Sequence, residues 1–96
     1  MIVGFAGKLA QEIYDSINSK RTRRFPSELH AKARRLLDQL NAAPTLKFMN
    51  IPPGNRFEKL SGDLKGFFSI RVNDQWRVIF RWQGDDAHDV DIVDYH

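Results

Sequence analysis

Ninety-six residues suffice for one compact domain, and 42% hydrophobic with 28% charged residues is the composition of a folded globular chain. Because the sequence has no cysteine, disulfide scaffolds, thiolate metal sites and cysteine nucleophiles are excluded. No apolar run approaches the roughly 18 residues of a membrane helix, and no secretory signal pattern is visible at the N-terminus. We therefore expect a cytoplasmic protein with a single domain over residues 1–96 and no membrane contact.

Charge is distributed unevenly along the chain. Residues 1–47 hold nine Lys and Arg against four acids, and residues 48–84 hold six against three. Residues 85–96 hold five aspartates and no Lys or Arg. A net charge of +3 with clustered arginines is compatible with binding a polyanion such as RNA, although many basic proteins bind no nucleic acid.

The first half of the sequence predicts two helices. Apolar residues at helical spacing indicate a short first helix containing Leu9, Ile13 and Ile17. The basic run Lys20–Arg24 offers no apolar residue at that spacing, so it is predicted to be a solvated connection. Pro26 suits the first turn of a second helix. The apolar face of that helix comprises Leu29, Ala33, Leu36, Leu37 and Leu40.

The second half predicts a sheet. A linker-like segment, Pro52–Asn55, separates the halves, and from Arg56 onward the apolar period changes to two. Strands are expected at about residues 56–60, 66–72, 76–83 and 88–94. The turns between them are short, which implies antiparallel neighbours. The predicted fold class is α+β, with two N-terminal helices packed on one face of a small, mainly antiparallel sheet.

The direction of the arginines in the central hairpin depends on its register. A two-residue turn would mix charged and apolar side chains on both faces of the sheet. A three-residue turn, Asn73–Gln75, instead pairs Arg71 with Arg77 and gives one continuous apolar face. We therefore predict that both arginines share the open face, with Arg81 further along it opposite Phe67.

Two arginines paired across a ladder repel each other, and two interpretations account for them. In the first, they form a clamp for a phosphate, which guanidinium groups bind in a bidentate manner. In the second, they are neutralised internally, because strand alternation also places Asp89, Asp91 and Tyr95 on the open face. Periodicity alone leaves both interpretations open.

Several motifs of this chain, taken together, resemble a known family. They are Pro52–Arg56, Leu60–Asp63, Gly66–Val72, Gln75–Val78 and the terminal Asp94–His96. With these motifs the sequence resembles, over essentially its whole length, the HigB group of RelE-like bacterial toxins. The Ser-Ile-Arg and Gln-Trp-Arg segments of the hairpin and the closing Asp-Tyr-His are the most specific elements of the resemblance.

The resemblance implies a RelE-like fold and a toxin that inhibits translation by cleaving mRNA in the ribosomal A site. The family reaction needs no metal or cofactor, because the ribose 2′-hydroxyl attacks the adjacent phosphate. The implied partners are the ribosome with its mRNA and a HigA-type helix-turn-helix antitoxin. Operator DNA is expected to be bound only through the toxin–antitoxin complex.

Catalytic residues are assigned from positions that match the family motifs. Arg71 and Arg77 would stabilise the charge that develops on the phosphate. The terminal Asp94, Tyr95 and His96 match the triplet implicated in catalysis. Among them His96 is the best general acid or base, since an imidazole has a pKa of about 6.5.

Glu58 marks a departure from the family, because some members carry a catalytic histidine at the matching position. Glu58 is a candidate base, although an ordinary glutamate with a pKa of about 4.3 is a weak base at neutral pH. This departure supports an alternative function, a non-catalytic module that binds RNA or the ribosome. Exposed cations are candidate RNA-binding residues in either case: Arg23, Arg24, Arg56, Lys59, Lys65 and Arg81. No metal-ligand spacing is present.

Overall fold

The computed structural model describes residues 1–50 and 55–95. Its helices are α1 (Lys8–Tyr14), α2 (Lys20–Arg24) and α3 (His30–Ala42). Its strands are β1 (Glu58–Lys59), β2 (Phe68–Arg71), β3 (Trp76–Gln83) and β4 (Asp86–Asp94). The strands form one antiparallel sheet in the order β1-β2-β3-β4. Helices followed by an antiparallel sheet confirm the predicted α+β class.

The central hairpin has the register that the sequence predicted. Phe68 lies opposite Phe80, Ile70 opposite Val78, and Arg71 opposite Arg77, which is the pairing of a three-residue turn. Asn73 fixes this turn with its side-chain Oδ1, which accepts hydrogen bonds from the backbone N–H groups of residues 75 and 76. An Asn side chain that bonds its own following backbone is a strong turn former.

The hydrophobic core lies between the helices and one face of the sheet. Helix α1 packs against β4 and α3, and α3 packs against β3 and β4. Helix α3 buries four of the five predicted apolar residues, Ala33, Leu36, Leu37 and Leu40, while Leu29 precedes the helix and is partly buried against the core. The sheet contributes alternate residues from three strands, Ile70, Val78, Phe80, Val90 and Ile92. The helices cover this face of the sheet. The strand residues that alternate with the buried ones therefore point to the opposite face, which we call the open face.

The N-terminal segment extends the sheet beyond β4. Ile2 forms a parallel bridge to Ala87, and Phe5 forms one to Val90. The backbone N–H of Val3 donates to the carbonyl of Ala87 at 2.9 Å. This segment pairs with the outer edge of β4, so the backbone groups there are not left open to other chains.

The prediction for Lys20–Arg24 was wrong, because this run forms the helix α2. Its first residue follows Ser19, whose side chain accepts from the backbone N–H of Thr22, while the Thr22 hydroxyl accepts from the backbone N–H of Ser19. This reciprocal capping box stabilises a helix start without any apolar periodicity. The described residues therefore form three α-helices, where the sequence predicted two.

Several element boundaries also differ from the prediction. Helix α1 ends at Tyr14, and Ile17, placed by periodicity on its apolar face, is 47% exposed. Pro26 precedes a 3-10 turn over Ser27–Leu29, so α3 begins only at His30. Strand β1 is shorter than predicted, since Arg56 has a φ of 45° that ends extended pairing.

Two further predictions concern the linker-like segment and a membrane-spanning helix. Of the linker-like segment Pro52–Asn55, only Asn55 lies within the described residues, where it is buried and donates from Nδ2 to the carbonyl of Met49. Within residues 1–50 and 55–95, no helix has the length and apolarity needed to cross a membrane.

Gly7, the residue before α1, packs directly against β4. A Cβ at this position would lie 2.6 Å from Cγ of Asp91, well inside van der Waals contact, and closer still to one carboxylate oxygen. The nearest atoms belong to the Asp91 carboxylate, which must turn away and give up its hydrogen bond from the backbone N–H of Ile92. We therefore predict that Gly7→Ala lowers the free energy of unfolding by about 0.5–1.5 kcal/mol, the usual net value of one hydrogen bond. Chemical denaturation measures the change.

Gly4→Ala is the matched control, since a Cβ at Gly4 meets nothing within 4 Å. It should leave the stability unchanged or slightly higher, because alanine restricts the unfolded chain. Equal effects of the two substitutions would contradict the packing argument for Gly7.

The same aspartate makes stability depend on pH. Burial raises the pKa of Asp91 above 3.8, and a hydrogen bond from the backbone N–H of Ile92 lowers it in part. The unfolded chain therefore releases this proton at a lower pH than the folded chain does. As a result, the stability linked to Asp91 is present below pH 3.8 and is lost as the pH rises through the raised folded pKa.

We predict that Asp91→Asn increases the unfolding free energy at pH 7 and changes it little at about pH 3, where both states are protonated. Urea denaturation at the two pH values measures the difference, with Asp38→Asn on the exposed side of α3 as the control. An equal effect of Asp91→Asn at both pH values would count against a raised pKa.

Candidate functional site

The candidate site lies on the open face of the sheet. Arg71 is the last residue of β2, and Arg77, the second residue of β3, lies directly opposite it. Their neighbours Ile70 and Val78 are fully buried toward the helices, so strand alternation turns both arginines to the open face. The predicted register, which pairs Arg71 with Arg77 on the open face, is therefore confirmed.

Arg77 is the less neutralised of the two arginines. Its Nε and Nη1 atoms are buried and have no hydrogen-bond partner in the described part of the chain. Its guanidinium carbon lies 5.6 Å from the centre of the Tyr95 ring, a cation–π contact. No carboxylate of residues 1–50 and 55–95 forms an ion pair with it. Arg77 thus presents unused donors beside a second cation.

Arg71 has one acidic partner, which comes from the hairpin turn. Its Nη2 donates to Oδ1 of Asp74 at 2.6 Å, while its Nε is buried without a partner among the described residues. The Arg71 side chain is 26% exposed and that of Asp74 is 95% exposed. An ion pair with so exposed a partner contributes little stability and is easily exchanged for another anion.

Arg81 is neutralised from β4, as the second interpretation expected. Its Nε lies 3.5 Å from Oδ2 of Asp89, and its guanidinium lies 4.4 Å from the centre of the Phe67 ring. Asp89 reaches it because β4 has a bulge here, with a φ of 51° at Asp89. Asp91, the other aspartate considered, packs on Gly7 and pairs with none of the three arginines.

Strand β1 places its two residues on different sides. Glu58 lies opposite Ser69 and so shares the open face with Arg71, two residues further along β2. Lys59 lies opposite Phe68, which packs against the core, and its side chain therefore leaves from the other side of the sheet. Arg56 is exposed just before β1. Only Glu58 of this group faces the arginine pair.

Asp94 and Tyr95, from the C-terminal triplet, also lie on opposite faces of the sheet. Tyr95 contacts Arg77 on the open face, and its backbone N–H donates to the carbonyl of Gln75 at 2.6 Å. Asp94 lies opposite Trp76, hence on the helix side, and accepts a hydrogen bond from Nε2 of Gln75 at 3.0 Å. His96, the predicted general acid or base, lies outside the described residues.

The remaining predicted RNA-binding residues do not belong to β2 or β3, which carry the arginine pair. Arg23 and Arg24 belong to α2 in the helix layer. Arg24 also lines a separate pocket of about 360 Å³ between α1, α2 and the start of β3. Lys65 is exposed in the turn before β2. These three cations remain candidate RNA contacts outside the site.

Two residues of the site were missed at the level of sequence. The carboxylate of Asp74 accepts a hydrogen bond from Arg71. Ser69 is buried on the open face, between Glu58 on β1 and Ile79 on β3. Ser69 follows from the alternation that placed Arg71, since residues two apart share a face. Nothing in the sequence shows that its hydroxyl lacks a partner, because that depends on neighbouring strands.

The arrangement is suited to binding an anion. The unused N–H groups of Arg71 and Arg77 are donors only, and guanidinium groups match phosphate oxygens in geometry and charge. Within the described ranges, no three His, Cys, Asp or Glu side chains come close enough together to hold a metal ion. Around Arg71 and Arg77, the open face thus also offers the carboxylate of Glu58 and the aromatic ring of Tyr95.

Comparisons with known proteins place the chain in a family. Residues 4–96 match the family described as the RelE-like toxin of the type II toxin–antitoxin system HigB. Toxin HigB-1 of Vibrio cholerae is 45% identical over 82 residues, which cover 85% of this chain and 84% of that protein. An uncharacterized protein of Haemophilus influenzae is 30% identical over 67 residues, covering 70% of this chain and 66% of that protein.

Solved structures show the same fold. YoeB in the YoeB–YefM complex from Staphylococcus aureus superimposes with a TM-score of 0.61 over 100% of this chain and 98% of that chain, at 19% identity. The YoeB dimer from the same organism gives a TM-score of 0.58 at 20% identity, over 99% of this chain and 97% of that chain. With a family match over nearly its whole length and this shared fold, the chain belongs to the HigB-like, RelE-like toxins of type II toxin–antitoxin systems.

Proposed function

We propose that this toxin is a ribosome-dependent endoribonuclease that cleaves mRNA in the ribosomal A site and so inhibits translation. The observation that carries the proposal is the pair formed by Arg71 and Arg77 on the open face. Like charges paired directly across a ladder destabilise the free protein, unless an anion binds between them. The phosphodiester of a message is such an anion.

The proposed reaction is a transesterification. The ribose 2′-oxygen loses its proton to a base and forms a bond to phosphorus, while the bond from phosphorus to the 5′-oxygen breaks. The leaving 5′-oxygen takes up a proton, and the products are a 2′,3′-cyclic phosphate and a 5′-hydroxyl. Arg71 and Arg77 stabilise the extra negative charge on the phosphate oxygens during this step.

Proton transfer needs groups at the edge of the arginine pair. We assign His96 as the general acid or base, because its ordinary pKa suits both roles at neutral pH. Tyr95 stacks on a base or donates its hydroxyl from the position beside Arg77. Glu58, which lies on the open face, is the other candidate base, and Asp94 orients its neighbours at the end of β4.

The ribosome and an antitoxin are the proposed partners. The site lies on an open sheet face, so an external scaffold is needed to hold the message in a reactive geometry. A solved heterotetrameric YoeB–YefM complex from Staphylococcus aureus assembles a toxin with an antitoxin. By family membership we propose a HigA-type helix-turn-helix antitoxin for this chain, and operator DNA bound only through their complex.

Mapping of new mRNA 5′ ends in a reconstituted translation reaction tests the proposal. Purified full-length toxin should produce ribosome-dependent cuts in a translated message and few cuts in the same RNA without ribosomes. Ribosome binding and arrest of translation without new 5′ ends would instead establish a non-catalytic binding module.

Arg77→Ala should reduce the cleavage rate by about 100-fold or more, since one charge-stabilising donor group is removed from the transition state. Arg77→Lys should fall between this variant and the wild type, because lysine keeps the charge but not the bidentate geometry. The rate of appearance of new 5′ ends measures both effects.

Lys8→Ala, which removes one exposed cation from α1, is the control for net charge and should cleave at the wild-type rate. The unfolding free energy of Arg77→Ala should change by no more than about 1 kcal/mol, because the lost repulsion with Arg71 offsets the lost contact with the Tyr95 ring. Wild-type cleavage by Arg77→Ala would refute the assigned role.

Asp74→Asn should strengthen binding of an uncleavable 2′-deoxy substituted message by about two- to five-fold at low salt. The Asp74 carboxylate competes with phosphate for Arg71, and an exposed ion pair is worth up to about 1 kcal/mol. The gain should shrink as salt screens these charges. Fluorescence anisotropy measures the affinity, and Asp38→Asn on α3 controls for net charge. Equal gains in both variants would exclude direct competition at Arg71.

A further inference from the structure

Ser69 is a buried polar residue that the roles assigned above do not use. It lies in the middle of β2 and is 1% exposed. Its Oγ has no hydrogen-bond partner in the described part of the chain. A buried hydroxyl without a partner is costly, and where a protein retains one, a ligand, an ion or a water often satisfies it.

The strand register places this hydroxyl on the open face, beside Arg71 and Arg77. Ser69 lies directly opposite Glu58 on one side and Ile79 on the other. Arg71 is two residues further along the same strand, and Arg77 is its diagonal neighbour on β3. Diagonal positions on one face of a sheet are about 7–8 Å apart, a distance that arginine side chains readily span. Ser69 is thus at the floor of the patch formed by the two arginines.

Three nitrogen atoms of the two arginines are, like the Ser69 hydroxyl, buried without a hydrogen-bond partner among residues 1–50 and 55–95. They are Arg71 Nε, Arg77 Nε and Arg77 Nη1. The three nitrogen atoms can only donate, and a hydroxyl can turn its hydrogen toward the same acceptor. These atoms are shielded from solvent, so an acceptor-rich anion reaches them only when the arginine side chains turn aside, and it then offers an acceptor to each of them.

We infer that Ser69 is a phosphate-binding residue, whose Oγ–H donates to a non-bridging oxygen of the scissile phosphodiester together with Arg71 and Arg77. This inference rests on the proposed function and adds a residue to the same site. The alternative is that a small side chain is needed at this position only to make room for the arginines. Alanine would fulfil that packing role equally well, so the two explanations predict different results.

Ser69→Ala should reduce the rate of ribosome-dependent cleavage by about 10- to 100-fold, the range expected for a lost hydrogen bond to a charged group. Its denaturation midpoint should be unchanged or higher, because an unpaired hydroxyl leaves a buried site. Ser69→Thr keeps the hydroxyl but adds a methyl group at a buried position, so it should retain more activity than Ser69→Ala at a lower denaturation midpoint. Ser61→Ala, at an exposed serine, is the matched control.

A second readout does not depend on the ribosome. Inorganic phosphate is titrated into the free full-length chain, and the side-chain Nε–H signals of its arginines are followed by NMR. Phosphate should shift the signals of Arg71 and Arg77, and Ser69→Ala should weaken the phosphate affinity by several-fold. Ser61→Ala should leave it unchanged.

The outcomes separate this inference from the proposed function. Unchanged cleavage in Ser69→Ala, with cleavage lost in Arg77→Ala, overturns the role of Ser69 and leaves the nuclease proposal intact. If the wild type cleaves no message, the nuclease proposal fails, and the phosphate titration alone decides on Ser69. A lower denaturation midpoint in Ser69→Ala with unchanged phosphate affinity assigns Ser69 a structural role and overturns the inference.

Discussion

The site depends on one unfavourable interaction, the pairing of Arg71 with Arg77 across the β2–β3 ladder. Two guanidinium groups held on one face repel each other, and of these two arginines only Arg71 has a carboxylate partner among the described residues. The core on the other face fixes the strands that carry them, since Ile70 and Val78 are fully buried. Hydrophobic burial therefore holds in place a cationic pair that would otherwise separate.

The hairpin turn connects this pair to the C-terminal end. Asn73 closes the turn through its side chain, and that closure sets the three-residue loop on which the arginine register depends. Gln75, in the same turn, accepts from the backbone N–H of Tyr95 and donates to Asp94. One turn thus aligns the two arginines and brings the Tyr95 ring beside Arg77.

The three arginines of the open face differ in how they are neutralised, and this difference carries the functional argument. Arg81 has Asp89 and the face of Phe67, and Arg71 has the exposed Asp74. Arg77 has only the Tyr95 ring within the described residues. Arg77 has two buried nitrogen atoms without a partner in the described chain and Arg71 has one, so a phosphate would find the most unused donors beside Arg77.

The sequence by itself determined the α+β class, the apolar face of α3 and the arginine register, because each follows from periodicity within one segment or across one short turn. Local capping by Ser19 formed α2 where periodicity predicted none. Only the tertiary structure decided the contact of Gly7 with Asp91, the parallel pairing of the N-terminus with β4 and the unsatisfied burial of Ser69. These features join residues that are distant in sequence, and strand or helix periodicity carries no information about which distant segments meet.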